Sequence, residues 1–242
     1  MTFRVPERQR QLLIAQVAFS LMFVFAGQAL ARPRIRKAKT DLQEILHRMN
    51  DTAKRLKTVT ADLDYTTVTV LVNERDTETG KFFLRNPKNP ELLVDFEKPD
   101  PKTILLKRNH LQIYYPKVNR IEEHDLSSHS GEIQQLLLLG FGTDEASLKR
   151  AYSVKLIGEE QLEGEDAAVL ELTPKDPAIA SQLTKIQMWV SEDSWTPAQQ
   201  EFFEPSGDYL IARYTGVKIN RTLPSSTFEI NAANGVQRVK KG

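Results

Sequence analysis

Residues 81–101 decide the fold class: Lys81-Phe-Phe-Leu-Arg-Asn-Pro87-Lys-Asn-Pro90-Glu-Leu-Leu-Val-Asp-Phe-Glu97-Lys-Pro99-Asp-Pro101. Leu92, Val94 and Phe96 alternate with Glu91, Asp95 and Glu97. That period of two puts apolar side chains on one face and carboxylates on the other, which predicts a strand over 91–97. Proline lacks the N–H a sheet ladder uses, so Pro87 to Pro90 is a loop and Pro99-Asp100-Pro101 a turn. A strand over 81–86 precedes them.

Working outward, the same pattern continues. A hairpin over 103–108 and 111–115 turns at Asn109, and a short strand follows at 118–123. Upstream, Val59, Ala61, Leu63 and Tyr65 alternate with Thr60, Asp62 and Asp64, and the β-branched run Thr66 to Val72 prolongs the strand. Thr79-Gly80 is read as the turn into the strand at 81. Before all of these, Leu42, Ile45, Leu46, Met49, Ala53 and Leu56 recur at helical spacing behind a cap at Thr40 or Asp41.

The middle of the chain breaks the rhythm. Residues 131–142 carry Ile133, Leu136, Leu137, Leu138, Leu139 and Phe141. That predicts a helix apolar all round, which must be buried all round. An amphipathic helix is predicted at 144–152. Strands resume at 153–161, 167–173, 185–191, 199–204 and 209–220, with a last one near 228–231. The expectation is a mainly β fold with helices (α+β), of ten or eleven antiparallel strands. A sheet of that size tends to curl or close because strands twist.

The N-terminus has three parts: Arg4, Arg8 and Arg10, then an apolar stretch from Leu12 to Phe25, then small residues ending in Ala29-Leu30-Ala31. This is the layout of a secretory signal peptide with cleavage after Ala31. The apolar stretch is short of the ~20 residues a bilayer-spanning helix needs. The expected organisation is a signal peptide over 1–31 and one domain over 32–242. Removing 1–31 takes away three arginines and one glutamate, moving the formal net charge from +1 to about −1.

Composition excludes several functions. With 33 basic and 32 acidic residues, the chain of 242 lacks the basic excess that nucleic-acid binding calls for. It has no cysteine, so disulfides, thiolate metal sites and lipid attachment through cysteine are out. No G-x-S-x-G, H-E-x-x-H or phosphate-binding glycine loop occurs. Of the four histidines, only His124-Asp125 with Ser127-Ser128-His129 has a catalytic look. Neighbours in a serine-rich loop seldom meet a triad's geometry, and two histidines five apart without a third ligand are a weak metal signal. No catalytic residue, metal or cofactor is expected.

The apolar inventory remains: Phe82, Leu84, Leu92, Val94, Phe96, Ile104, Leu106, Leu111, Ile113, Ile186 and Met188 on strands, with Ile133, Leu136 and Leu137 in the middle. It reads either as a packed core or as a core that opens. Periodicity does not separate the two.

The order of motifs resembles the outer-membrane lipoprotein carrier family, the LolA-like proteins. The carrying stretches are Gly80 to Pro87, Leu92 to Pro101, Leu111-Gln-Ile-Tyr-Tyr-Pro116, Leu170-Glu-Leu-Thr-Pro-Lys175 and Phe228-Glu-Ile-Asn231 with Gly235-Val236. The resemblance spans the mature chain. It implies an incomplete, curved antiparallel half-barrel whose hollow, covered by helices, receives the acyl chains of lipoproteins or lipids. It further implies a periplasmic monomer taking cargo from an inner-membrane ABC lipoprotein exporter to an outer-membrane receptor. A sensing protein of the same fold is the alternative; such regulators generally bear an additional C-terminal domain, which is not expected here. In the family an arginine on the second strand holds the lid shut, and Arg85 matches that position. Here Asn86 stands between it and Pro87, where the family usually has the basic residue directly before proline. A slip of one residue turns a strand side chain to the opposite face. The family's tryptophan on the aromatic strand is Phe96 here.

Overall fold

The computed structural model describes residues 40–87, 89–127 and 138–241. The signal peptide expected over 1–31 lies outside the described residues, as do most of the helix expected over 131–142 and the residues His129, Ile133, Leu136 and Leu137.

Helix α1 (Leu42–Arg55) starts where Asp41 accepts a hydrogen bond from the Glu44 N–H at 2.9 Å, and Lys54 and Arg55 lie in its last turn. Both ends therefore complement the helix dipole. Its buried stripe is Ile45, Leu46 and Met49, each contributing up to roughly 1.5–3 kcal/mol by leaving water.

Six strands follow in a meander: β1 (Thr58–Thr69), β2 (Glu74–Arg85), β3 (Glu91–Lys98), β4 (Lys102–Lys107), β5 (His110–Tyr115) and β6 (Arg120–Asp125). After the middle segment come α2 (Glu145–Ala151), β7 (Tyr152–Leu162), β8 (Glu165–Pro174), the short α3 (Pro177–Ala180), β9 (Lys185–Ser191), β10 (Pro197–Phe203), β11 (Tyr209–Ile219) and β12 (Gln237–Lys241). All twelve join one open, curved sheet in the order β12-β6-β5-β4-β3-β2-β1-β11-β10-β9-β8-β7. Two meanders are thus fused at the middle by β1 and β11, from Val59↔Ile219 to Val68↔Tyr209.

Four expectations need correction. The first turn is not at Thr79-Gly80 but at residues 70–73, where Asn73 takes a positive φ of 52°. The first half of β2, Glu74 to Thr79, is polar and so shows no apolar alternation. Gly80 lies inside β2 opposite Leu63, next to a register shift against β3. Second, residues 138–142 form turns, not the end of a helix, because Gly140 and Gly142 hold φ of 78° and 87°. Third, no strand forms at 228–231: Ser225–Phe228 is a 3-10 turn. Fourth, the described residues form twelve strands and the sheet is mixed, since β12 runs parallel to β6. β12 is mostly charged and exposed along its length, so no pattern marks it. Beside its backbone pairing, the Arg238–Glu123 ion pair at 2.6 Å holds it to β6.

The two faces of the sheet differ. On the inner face, α1, α2 and Leu139 pack on Leu170, Leu172, Ile186 and Met188 of β8 and β9. An adjoining cluster joins Val59, Leu63, Phe82, Leu84, Leu92, Phe96 and Leu106 to Leu126, Leu138 and Phe141. The outer face carries smaller clusters, Leu93 and Leu105 under Phe228, and Ala167, Val169 and Trp189. No helix among the described residues is long and apolar enough to cross a membrane.

Candidate functional site

The strand residues expected to line a hollow do share the inner face. Phe82, Leu84, Leu92, Phe96 and Leu106 are buried in one cluster, with Val94, Ile104 and Leu111 half-buried against it. Ile186 and Met188 lie in the neighbouring cluster. Ile113 is buried. Among the described residues this face is filled: Leu84 is 0% and Phe82 3% exposed.

What fills it is irregular chain. Phe141 packs its ring 5.2 Å from Phe82 and 4.9 Å, edge-on, from Tyr214, and those two rings are 5.2 Å apart. The turn is closed by the Phe141 N–H donating to Leu138 O at 2.8 Å and by Thr143 Oγ1 donating to the same oxygen at 3.1 Å. From the sheet, Gln200 Nε2 donates to Leu139 O at 2.9 Å, and Tyr214 OH donates to Gln200 Oε1 at 3.1 Å. Gln200 is 3% exposed. A buried amide so placed satisfies a carbonyl that would otherwise be costly to bury. Burial also pushes the Tyr214 phenol well above its ordinary pKa, so it stays a donor.

Gly140 lies within this turn. A Cβ there would sit 2.5 Å from Pro197 Cγ and 2.8 Å from Met188 Sδ, so only glycine brings the chain this close to β9 and β10. Gln200, Tyr214 and Gly140 were missed as site residues in the sequence. Glutamine in a strand gives no signal of which carbonyl it will meet.

Arg85 sits on the other face. Its neighbours Phe83 and Leu93 belong to the outer cluster, whereas Leu84 belongs to the inner one. Arg85 Nε donates to Glu91 Oε2 at 2.7 Å, and the guanidinium lies 4.5 Å over the Phe228 ring. Asn86 ends the strand with φ at 51°. Arg85→Leu is therefore expected to free the segment around Phe228, at a cost of roughly 2 kcal/mol from a charged hydrogen bond and a cation–π contact. Hydrogen exchange at residues 225–230 should rise while that of residues 138–142 stays unchanged.

Of the histidine cluster, only His124, Asp125 and Ser127 lie among the described residues. Asp125 Oδ1 accepts from both the N–H and the hydroxyl of Ser127. His124 and Asp125 are successive residues of β6 and point to opposite faces. His129 lies outside the described residues. His124 Nε2 is buried with no hydrogen-bond partner among the described residues, and burial holds its pKa below the ordinary 6.5. The folded state thus favours the neutral ring. That contribution is full above pH 6.5 and lost as pH falls through the lowered value. His124→Phe should flatten the fall in melting temperature between pH 7 and pH 5. No group of three or more His, Cys, Asp or Glu suited to a metal occurs among the described residues.

A cleft of about 320 Å³ opens elsewhere, lined by residues of the β7–β8 and β9–β10 turns and by Arg213 to Val217 of β11.

Solved structures are similar to this chain. An uncharacterized conserved protein from Thermus thermophilus is 13% identical, with a TM-score of 0.54, over 82% of this chain and 98% of that one. A LolA superfamily protein from Nitrosomonas europaea is 19% identical, with a TM-score of 0.38, over 78% and 97%. MucB, in its complex with MucA from Pseudomonas aeruginosa, is 15% identical, with a TM-score of 0.47, over 77% of this chain and 60% of that one. At 13% identity the likeness to the Thermus thermophilus protein is one of fold. No curated protein matches the chain. A family model described as "uncharacterized protein" matches residues 89–225. Since that stretch is more than half of the 242 residues, the chain belongs to this family of uncharacterized proteins.

Proposed function

We propose that this protein binds acyl chains, of lipids or of acylated proteins, on the inner face of its sheet. One observation carries the reading: among the described residues, irregular chain at Leu138 and Phe141, and no strand or helix, covers the apolar cluster of β1 to β4. Two hydrogen bonds from side chains outside the turn's own backbone, Gln200 to Leu139 and Thr143 to Leu138, hold that turn. A strand paired in the sheet would lose a whole ladder of bonds on leaving. A turn loses few, so a ligand chain can replace it.

The energetics favour such exchange. Each methylene taken out of water is worth about 0.8 kcal/mol. A long acyl chain exposed to water therefore costs on the order of 10 kcal/mol, comparable to the apolar contacts that Leu138, Leu139 and Phe141 give up.

The cellular role that fits is a carrier. In this reading residues 1–31 direct export and are removed after Ala31, and residues 32–242 act as one domain in the periplasm. Acylated cargo then passes from an exporter in the inner membrane to a receptor in the outer one. Incubating the protein with a diacylated peptide and with its deacylated twin, followed by native mass spectrometry, tests the binding step. One-to-one complexes with the acylated peptide alone are expected. Equal binding of both peptides, or of neither, overturns the proposal.

A further inference from the structure

The ends of the C-terminal hairpins leave a notch in the sheet. β10 pairs with β11 from Gln199↔Arg213 to Phe203↔Tyr209, but β11 runs on beside β1 to Ile219. Past Arg213, one edge of β11 has no strand beside it among the described residues. The turns of β7–β8 and β9–β10 close around that stretch and leave the cleft of about 320 Å³. Its size lies near the lower end of the range of about 300–1,000 Å³ common for small-ligand sites.

Tyr214 and Val217 line this cleft, and both also pack against the inner core. Tyr214 therefore serves two places at once. Tyr214 lines the notch, and its ring touches Phe82 and Phe141. Its hydroxyl donates to Gln200, whose amide holds Leu139. A ligand that moves this ring loosens the turn 138–142 in the same step.

We infer that the cleft is the mouth through which a single-chain amphiphile enters the inner core, with Tyr214 as its stopper. The inference rests on the acyl-binding reading. The rim sets the preferred head group. Arg213 Nε is taken by Gln199 Oε1 at 2.9 Å, and its Nη1 lies 3.6 Å from Glu163. Glu165 and Asp193 add two further carboxylates to the rim. An ammonium head is favoured there over a carboxylate, most strongly at low salt.

The probes are two twelve-carbon chains brominated at the far end, one with an ammonium head and one with a carboxylate. Bromine quenches tryptophan on contact, and Trp195 lies in the turn between β9 and β10, whose Ser194 lines the cleft, and packs against the inner core. Stopped-flow quenching of the full chain reads the uptake rate, and titration reads affinity. Ala198→Phe narrows the cleft and should slow uptake about tenfold with affinity unchanged. Tyr214→Ala should speed it by a similar factor, and Tyr214→Phe, which keeps the ring and loses the latch bond, should speed it less. The ammonium probe should bind more tightly at low salt, by roughly tenfold. Uptake at wild-type rates in both Ala198→Phe and Tyr214→Phe overturns the mouth while leaving acyl binding in place. Equal affinity for the two probes overturns the head-group preference. Absence of quenching in the wild type overturns the acyl-binding reading and the inference with it.

Discussion

Phe141→Ala should lower stability and raise ligand affinity together. Phe141 is 1% exposed and meets Phe82 and Tyr214 ring to ring. Truncating a buried phenylalanine costs about 3–5 kcal/mol, the spread depending on how far the walls collapse. In an ordinary core that loss brings nothing. In the proposed acyl-binding reading the same ring competes with the ligand for the inner face. Every ~1.4 kcal/mol removed from the closed arrangement raises the apparent affinity for an acyl chain about tenfold. Urea unfolding and titration with a fluorescent fatty acid measure the two effects on one sample. Reduced stability with unchanged or weaker binding would make Phe141 a core residue only, and the covered face a sealed one.

Gly80→Ala should be damaging with no functional gain. A Cβ at this position would lie 2.2 Å from Asp95 O and 2.8 Å from Phe96 Cα. Both are backbone atoms of β3, which cannot swing aside as a side chain can. The two strands would have to separate at the register shift between Thr79 and Gly80, next to the buried ring of Phe96. The cost is on the order of 3 kcal/mol or more, a large part of the ~5–15 kcal/mol that holds a typical domain together. Lys81→Ala next door removes the exposed ion pair with Asp62 and should change stability by about 1 kcal/mol or less. If the two variants melt alike, the close approach of β2 to β3 is not what that glycine serves.

These two residues show where sequence reading reaches and where it stops. Phe141 was legible as buried, because apolar side chains crowd residues 133–141 and must leave water. That it closes a turn and meets Tyr214, 73 positions on in the chain, was not. Gly80 reads as a turn residue because glycine usually is one. Its actual role, a strand position too close to its neighbour for a Cβ, depends on β3, which no local window around residue 80 contains.

Arg85 makes the same point from the other side. The family position put it at a lid, while Asn86 before Pro87 already differed from the pattern. A strand has a period of two, so facing is decided by register alone, and the register placed Arg85 over Phe228.

By itself the sequence determined the mainly β class, α1 with a cap at Thr40 or Asp41, the amphipathic α2, the bounds of most strands to within a few residues, and which apolar side chains share a face. Each follows from short-range physics: period, branching at Cβ, proline's missing donor and the orphaned groups at helix ends. Only the tertiary structure decided the union of β1 with β11, the parallel addition of the charge-rich β12, and the reach of Gln200 to Leu139. Those contacts join residues 61 to more than 100 positions apart and satisfy backbone groups whose partners exist only once the sheet has closed around them.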